Sequence, residues 1–262
     1  MEDLYVIKIG GETINSKDSL KACLKAISTS GKKVVLVHGG GKKVTELAQK
    51  LFIPQQMVEG RRITSLETLE LCTMVYAGLI NKNIVAGLSA EKLLAIGLSG
   101  ADLNCIVSKK RDASVINYGF VGDIVKVDKT VFENFISQNI IPVVNSISIS
   151  EEGELLNTNA DVMAAEIAKA MSDKYKVHLL YCFEKSGVLK DITDENSVIP
   201  DISKTDFTHM KETKKIADGM IPKLQTAFRA LYHGVDEARI LKSDALENYF
   251  TNENPGTNIS LH

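Results

Sequence analysis

Apolar residues follow two rhythms along this chain. Short, nearly unbroken runs at Leu4–Ile9, Lys33–Val37, Leu93–Leu98, Ile140–Asn145, Lys176–Phe183 and Ala238–Leu241 have the length and β-branched content of buried strands. Between them apolar residues return every three or four positions, as on helices with one buried face. Leu20, Cys23, Leu24 and Ile27 predict a helix over 17–29 that stops at Gly31. Val44, Leu47, Ala48 and Leu51 predict another after Gly41, and further helices are expected at 129–138, 204–214, 223–234 and 244–250. Strands alternating with amphipathic helices predict an α/β chain.

One helix breaks the pattern. From Ser65 to about Ser89, capped by Thr64 or Ser65, the apolar residues Leu69, Leu71, Cys72, Met74, Val75, Ala77, Leu79 and Ile80 cover more than one stripe. That width predicts burial on two sides, one of them a subunit interface. Short antiparallel strands are expected at 104–108, 113–118 and 120–127, and hairpins turn near Glu59-Gly60 and at Glu151-Glu152-Gly153. Residues 190–202 read as a polar connection, and the tail at 254–260 as an edge strand.

Glycines mark where two strands end. Lys33–Val37 runs into His38 and then Gly39, Gly40 and Gly41 before its helix begins. Three residues without a Cβ let the backbone approach a ligand closely, and free amides at a helix start favour an anion. The run matches neither the dinucleotide fingerprint nor the P-loop spacing, so turn chemistry alone is an equal reading. Leu4–Ile9 carries one charge, Lys8, directly before Gly10 and Gly11. A lysine inside an apolar strand must reach solvent or an anion. At the carboxyl end of a parallel strand, where α/β proteins bind ligands, an anion is the better expectation.

Three further places carry candidate chemistry. Arg61 and Arg62 are neighbours on a hairpin strand, so they point to opposite faces, and the fork of Arg62 suits a carboxylate. In the stretch 155–171, Thr158 and Asp161 have capping-box spacing at the start of a helix. Asn157 is not needed for that cap, which makes it the better ligand candidate. Pro222 fits a first helical turn, and this puts Lys223 where the helix dipole disfavours a cation unless an anion holds it.

Composition narrows the partners. With 262 residues, 44% apolar and 24% charged, the chain suits one large α/β domain or two lobes. A net charge of −2, few aromatics and no Trp leave no footprint for nucleic acid. No apolar run is expected to reach a membrane span, and the acidic Met1-Glu2-Asp3 start does not read as a targeting peptide. Cys23, Cys72, Cys105 and Cys182 are widely spaced, and read as reduced thiols of a cytoplasmic protein.

Taken together, KIGG at 8–11, VHGGG at 37–41, GRRIT at 60–64, NTNAD at 157–161, SGVL at 186–189 and DGMIPK at 218–223 resemble the acetylglutamate kinase branch of the amino-acid kinase family. The similarity runs from residue 4 to the GT-x-I at 256–259. It implies a three-layer αβα sandwich with an open, mainly parallel sheet, a single amino-acid kinase domain over 1–262. Its lobes would be 1–173, for the acylated amino acid and dimerisation, and 174–262, for ATP. The implied reaction phosphorylates the γ-carboxylate of an N-acylated glutamate, in arginine biosynthesis, with Mg²⁺ held by the phosphates and no dedicated protein metal ligands. The same resemblance assigns Lys8 and Lys223 to the transferring phosphoryl group, and Asp161 to the carboxylate that holds both lysines. Gly40, Gly41, Arg62 and Asn157 fall on substrate-binding positions. Gly10, Gly11, Ser186, Gly187, Lys215, Ile216 and Ala217 fall on phosphate and nucleotide positions. YCFEKSGVL lacks the aspartate of the family's usual T/S-D-V-x-G-V-L, so the adenine and ribose contacts differ here. A homodimer insensitive to arginine is expected, because three residues before the first strand leave no room for the N-terminal helix of arginine-inhibited hexamers.

The chemistry agrees with this inventory. A glutamate γ-carboxylate, with a pKa near ~4.3, is ionised at neutral pH, so no general base is needed. The obstacle is an anion attacking an anion, which lysines, glycine amides and a metal can offset. The alternatives are N-succinyl-glutamate as acceptor, another amino-acid kinase activity, or a non-catalytic ligand-binding regulator. The joint presence of Lys8, Asp161 and Lys223 argues against the last.

Overall fold

A computed structural model of the chain describes residues 1–262 apart from Glu59, Gly60, Lys214, Ala217 and Asp218. The chain opens with β1 (Asp3–Ile9), α1 (Gly11–Asn15), α2 (Lys17–Ser30) and β2 (Lys33–His38). The Ser16 hydroxyl accepts from the Ser19 amide to start α2, and Gly31 ends it with φ +61°. Cys23, Leu24, Ala26 and Ile27 form the buried face of α2, as the spacing predicts.

The chain continues through α3 (Gly41–Lys50), the hairpin β3 (Gln56–Val58) and β4 (Arg61–Ile63), then α4 (Leu66–Thr73). A π-helical turn over Met74–Ile80 leads without a break into α5 (Asn81–Ala90). Next come β5 (Leu94–Leu98), β6 (Ile106–Lys110), β7 (Gly122–Val127), α6 (Lys129–Ser137), β8 (Ile140–Val144), β9 (Ile147–Ile149), β10 (Leu155–Asn157) and α7 (Ala160–Met171). The remainder is β11 (Lys176–Phe183), β12 (Asp201–Ser203), α8 (Lys204–Glu212), α9 (Ile221–Tyr232), β13 (Glu237–Lys242), α10 (Leu246–Phe250) and β14 (Thr257–Ser260).

Two compact units result, one from Met1–Val35 with Ala164–His262, the other from Leu36–Met163. A lobe division at 173/174 cuts the chain once, whereas compactness cuts it twice. The cause is β1, which pairs in parallel with β11 over seven residues and ties the N-terminus to the C-terminal part. In the first unit the strand order is β12-β14-β13-β11-β1-β2, parallel from β1 to β13 through β11. Leu4, Val6, Ile7 and Ile9 are wholly buried, so both faces of β1 are covered. In the second unit β2, β8 and β5 are parallel neighbours, and β10-β9-β6-β7 form a second sheet. The chain is thus α/β with an open, mainly parallel central sheet, as expected.

Four local expectations change. Residues 113–118 form no strand; Phe120 instead receives backbone hydrogen bonds between Thr64 and Asn157, its amide donating to Thr64 and its carbonyl accepting from Asn157. The tail strand β14 is interior, antiparallel to β13 and parallel to β12. The sheet edge is β12, a short segment inside the stretch read as a polar connection. The helix expected from Ser65 to about Ser89 runs unbroken as Leu66–Ala90, with the π turn inside it. Lastly, Leu66–Ala90 is long and apolar enough to cross a membrane by length and composition, contrary to the expectation. Its residues Leu69, Cys72, Val75, Tyr76, Ile84 and Leu88 are buried within the chain, which identifies it as a core helix.

At the amino ends of the first unit's strands sits a charged cluster. Tyr5, His178 and Glu237 are cross-strand neighbours on β1, β11 and β13. The His178 ring stacks on Tyr5 with centroids 4.6 Å apart, and its nitrogens lie 2.9 Å from Asp3 Oδ1 and 2.7 Å from Glu237 Oε2. Tyr249 and Arg239 also donate to Glu237. Burial alone would lower the His178 pKa, but its two carboxylate partners outweigh burial and raise it. Burial would likewise raise Glu237, but hydrogen bonds from His178, Tyr249 and Arg239 bring it to about 2. The His178 hydrogen bond, against a smaller opposing effect of burial, lowers Asp3.

A raised imidazole pKa adds stability that is complete below the unfolded value, ~6.5, and is lost as pH rises through the folded value. Lowered carboxylates add stability present above ~4.3 and lost as pH falls through their folded values. The cluster therefore stabilises most between about pH 4.5 and 6.5. Melting temperatures should fall from pH 6 to pH 9 more steeply in the wild type than in His178→Gln; parallel curves would remove His178 from the account.

Candidate active site

In the first unit, burial along β1 lapses at Lys8, the half-buried residue in an otherwise buried stretch. Lys8 pairs in register with Tyr181 and is followed by Ile9 opposite Cys182. The Cys182 thiol is pushed well up by burial and by Cys23, with the Lys8 ammonium pulling the other way. Gly10 donates its amide to the Cys182 carbonyl at 2.9 Å, and a Cβ there would meet Phe183 Cβ at 3.3 Å. Gly11 faces open space, with nothing within 4 Å of its Cβ position, and α1 begins without a side-chain cap. Thr13 and Ser243 share a 2.5 Å hydrogen bond that fixes α1, and Ser243 also donates to the Phe183 carbonyl. The carboxyl ends of β1 and β11 are where strand order reverses, the place at which open α/β sheets bind ligands.

Beyond β11 the turn at Ser186-Gly187 is braced by Thr257. Its hydroxyl accepts from the Val188 amide at 2.8 Å and donates to the Ile199 carbonyl at 2.6 Å. A Cβ on Gly187 would come within 2.7 Å of that hydroxyl, so the close approach requires glycine. Gly187, Val188, Lys185, Lys215, Ile216 and Met220 help line a cleft of about 440 Å³, within the usual range for small-molecule sites. An apolar wall beside lysines fits a base and its phosphates. Gly187, Lys215 and Ile216 are thus gathered at one feature, Ser186 is not part of its lining, and the expected contact Ala217 lies outside the described residues. Lys223 sits in the first turn of α9, which starts without a side-chain cap and carries Pro222.

In the second unit β2 ends at the wholly buried His38 and passes through Gly39 and Gly40 into α3. A Cβ on Gly40 would lie 2.2 Å from Ile80 Cδ1 and 3.1 Å from the Tyr76 ring. This glycine is therefore demanded by packing as well as by turn geometry. Arg62 is half-buried and Arg61 exposed, in line with their opposite directions. Arg62 donates to the Gly41 carbonyl at 3.0 Å and to Thr45 Oγ1 at 2.9 Å, and also to Gln55 Oε1. Its fork is held at the start of α3 by neutral acceptors. The Asn157 amide donates to Thr64 Oγ1 at 3.1 Å.

The cap of α7 differs from the expected one. Asn159, not Thr158, accepts from the Asp161 and Val162 amides, at 2.8 and 3.1 Å. The Thr158 hydroxyl is taken by Ser148 Oγ at 2.9 Å. Asp161 is buried in the first helical turn. Sequence reasoning missed Gln55 and Thr45 beside Arg62 and Thr257 beneath Gly187. It also passed over His38 and Asn81, whose signal was a polar residue within an apolar run.

Lysines and uncapped amides at the carboxyl ends of parallel strands, with a nucleotide-sized cleft alongside, are the equipment of a phosphoryl-transfer enzyme. The sequence profile of the amino acid kinase family matches residues 3–242, and the chain belongs to that family. It is 45% identical over 258 residues to the acetylglutamate kinase of Bacteroides thetaiotaomicron, covering 98% of both chains. A solved structure of smu.665 from Streptococcus mutans superposes with a TM-score of 0.83 at 28% identity, over 100% of both chains. The N-acetylglutamate synthase of Neisseria gonorrhoeae shares the fold at 19% identity and a TM-score of 0.84, with 99% of this chain and 59% of that one covered.

Replacing Gly40 tests the packing of the glycine turn. Gly40→Ala should destabilise by about 1–3 kcal/mol, as overpacking does. In an Ile80→Ala background that penalty should shrink by at least about 1 kcal/mol, since the two atoms in conflict are neighbours. Denaturant unfolding of the four proteins measures this, and an unchanged penalty would show that Ile80 is not what excludes a side chain.

Proposed function

We propose that the protein is an acetylglutamate kinase, transferring the γ-phosphoryl of ATP to the γ-carboxylate of N-acetyl-L-glutamate in arginine biosynthesis. The observation that carries this reading is the 45% identity, across 98% of both chains, to a protein of that name. The site agrees with it. Arg62, with Gly40, Gly41 and Asn157, is assigned to the acylamino acid, in the region 1–173. Gly10, Gly11, Ser186, Gly187, Lys215, Ile216 and Ala217 are assigned to the nucleotide, chiefly in 174–262.

The acceptor carboxylate is already charged, so the enzyme's task is to let two anions meet. Lys8 and Lys223 supply positive charge to the transferring phosphoryl group, and Asp161 supplies the carboxylate that orients charge in this set. Backbone amides at Gly10, Gly11 and the 39–41 turn supply donors that need no reorganisation as charge develops. Among the described residues no group of three or more His, Cys, Asp or Glu could hold a metal. Mg²⁺, which commonly keeps waters and phosphate oxygens as ligands, would be held by ATP and neutralise phosphate charge. The cytoplasm is the proposed compartment, in keeping with four buried, free cysteines.

A hydroxylamine trap for the acyl phosphate, run with ATP and N-acetylglutamate, N-succinylglutamate, glutamate or aspartate, tests the assignment. Turnover on N-acetylglutamate well above the others is expected; preference for another acceptor would overturn it. In the same assay Lys8→Ala and Lys223→Ala should each lower kcat by at least about a hundredfold. Arg62→Lys should raise KM for the amino acid but not for ATP, because an ammonium cannot make the two-pronged contact. An unchanged amino-acid KM would move the carboxylate contact elsewhere.

The proposed assembly is a homodimer built on the 66–90 helix. Val75 is buried in the chain's own core, whereas Leu66, Met74 and Leu79 are exposed on this helix. Met74→Glu should convert a dimer mass to a monomer mass in light scattering. A wild-type monomer, or a Met74→Glu dimer of unchanged stability, would rule this surface out.

A further inference from the structure

His38 stands out at the end of β2, wholly buried where four valines and leucines precede it. Its Nδ1 lies 2.9 Å from the carbonyl oxygen of Gly39, the first residue of the glycine turn. Its Nε2 lies 3.1 Å from Asn81 Nδ2. The same Asn81 nitrogen donates to the Val143 carbonyl on β8 at 2.8 Å. A carbonyl can only accept, so the atom facing it must be the amide NH₂. That NH₂ can only donate to the ring, so Nε2 accepts and the ring hydrogen sits on Nδ1, pointing at the Gly39 oxygen. The tautomer follows from the chain of partners. Burial, which lowers the His38 pKa to about 4, keeps the ring neutral.

Asn81 reaches this ring because of the π turn. Its backbone amide is shared between the Gly78 carbonyl, three residues back, and the Tyr76 carbonyl, five back. On an α-helix residues five apart are separated by about 140° around the axis. Closing the bond at five brings them toward one face. Tyr76, Ile80 and Asn81 then converge on the glycine turn, the first two against Gly40 and the third through His38. π turns often occur where a function needs such a displaced residue.

We propose that Asn81 and His38 are positioning residues for the 39–41 turn. The Asn81 amide and the Gly39 carbonyl together select the Nδ1–H tautomer, and that hydrogen holds the Gly39 carbonyl to the protein side. The following amides are thereby turned to the substrate. This rests on the reading that the turn meets substrate, and it adds two residues that touch neither substrate.

Two substitutions separate this role from mere packing. The side-chain amide of Asn can occupy the place of Nδ1, and that of Gln the place of Nε2. His38→Asn should keep the Gly39 contact and hold kcat/KM for N-acetylglutamate within about threefold of wild type. His38→Gln should keep only the Asn81 contact and lose about tenfold or more, the scale of a misplaced binding group. Independently of activity, nitrogen chemical shifts in the unaltered enzyme should report a neutral, Nδ1-protonated His38 from pH 6 to 9. An Nε2–H tautomer in the wild type, or equal losses in the Asn and Gln variants at equal melting temperature, would overturn the proposal. If the wild-type tautomer were as stated but N-acetylglutamate were not turned over, the pair would stand and the assigned reaction would fail.

Discussion

The parallel pairing of β1 with β11 is the constraint on which the first unit depends. Seven consecutive register pairs bury both faces of β1 and bring residues 3–9 beside residues 176–182. At one end of that pairing Tyr5, His178 and Asp3 assemble an ion cluster. At the other, Lys8 and Gly10 meet the end of β11 and the turn that follows. The two ends do different work because a parallel pair has two different ends. Amino ends receive side chains that stabilise, while carboxyl ends are left with glycines and open amides.

In the second unit the corresponding constraint is steric. The glycine turn fits closely against the π turn, with Ile80 occupying the space a Gly40 side chain would need. A wide apolar helix and a run of glycines are thus two halves of one contact. The extra residue in the π turn accounts for the apolar positions of 65–89 covering more than one stripe, since the face in contact changes along the helix. Part of that width is outward-facing, at Leu66, Met74 and Leu79.

Much of this was legible in the sequence because buried parallel strands are continuous apolar runs, and a lone Lys8 or a glycine triplet within that pattern is conspicuous. The failures have specific causes. Asn157, Thr158 and Asn159 are three successive residues able to cap a helix, and spacing cannot choose among them. Ser148, distant in sequence, takes the Thr158 hydroxyl and leaves the cap to Asn159. Residues 201–203 have no strand signature of their own, and become one only because β14 offers a free edge. The partners of Arg62 are a glutamine and a threonine, residue types that give no warning of a guanidinium.

Thr257 carries a consequence for how the protein is made. The Val188 amide in the turn after β11 is satisfied by a hydroxyl 69 residues later in the chain. At roughly 5–20 residues per second, translation needs about 3–14 s to supply it. During that interval β11 can exist while the turn beyond it has no anchor, and an apolar cleft wall stands open to solvent. The cleft lined by Gly187 and Val188 is therefore among the last parts of the protein to become itself, and the nascent chain passes through a period when it is most exposed to chaperones and proteases.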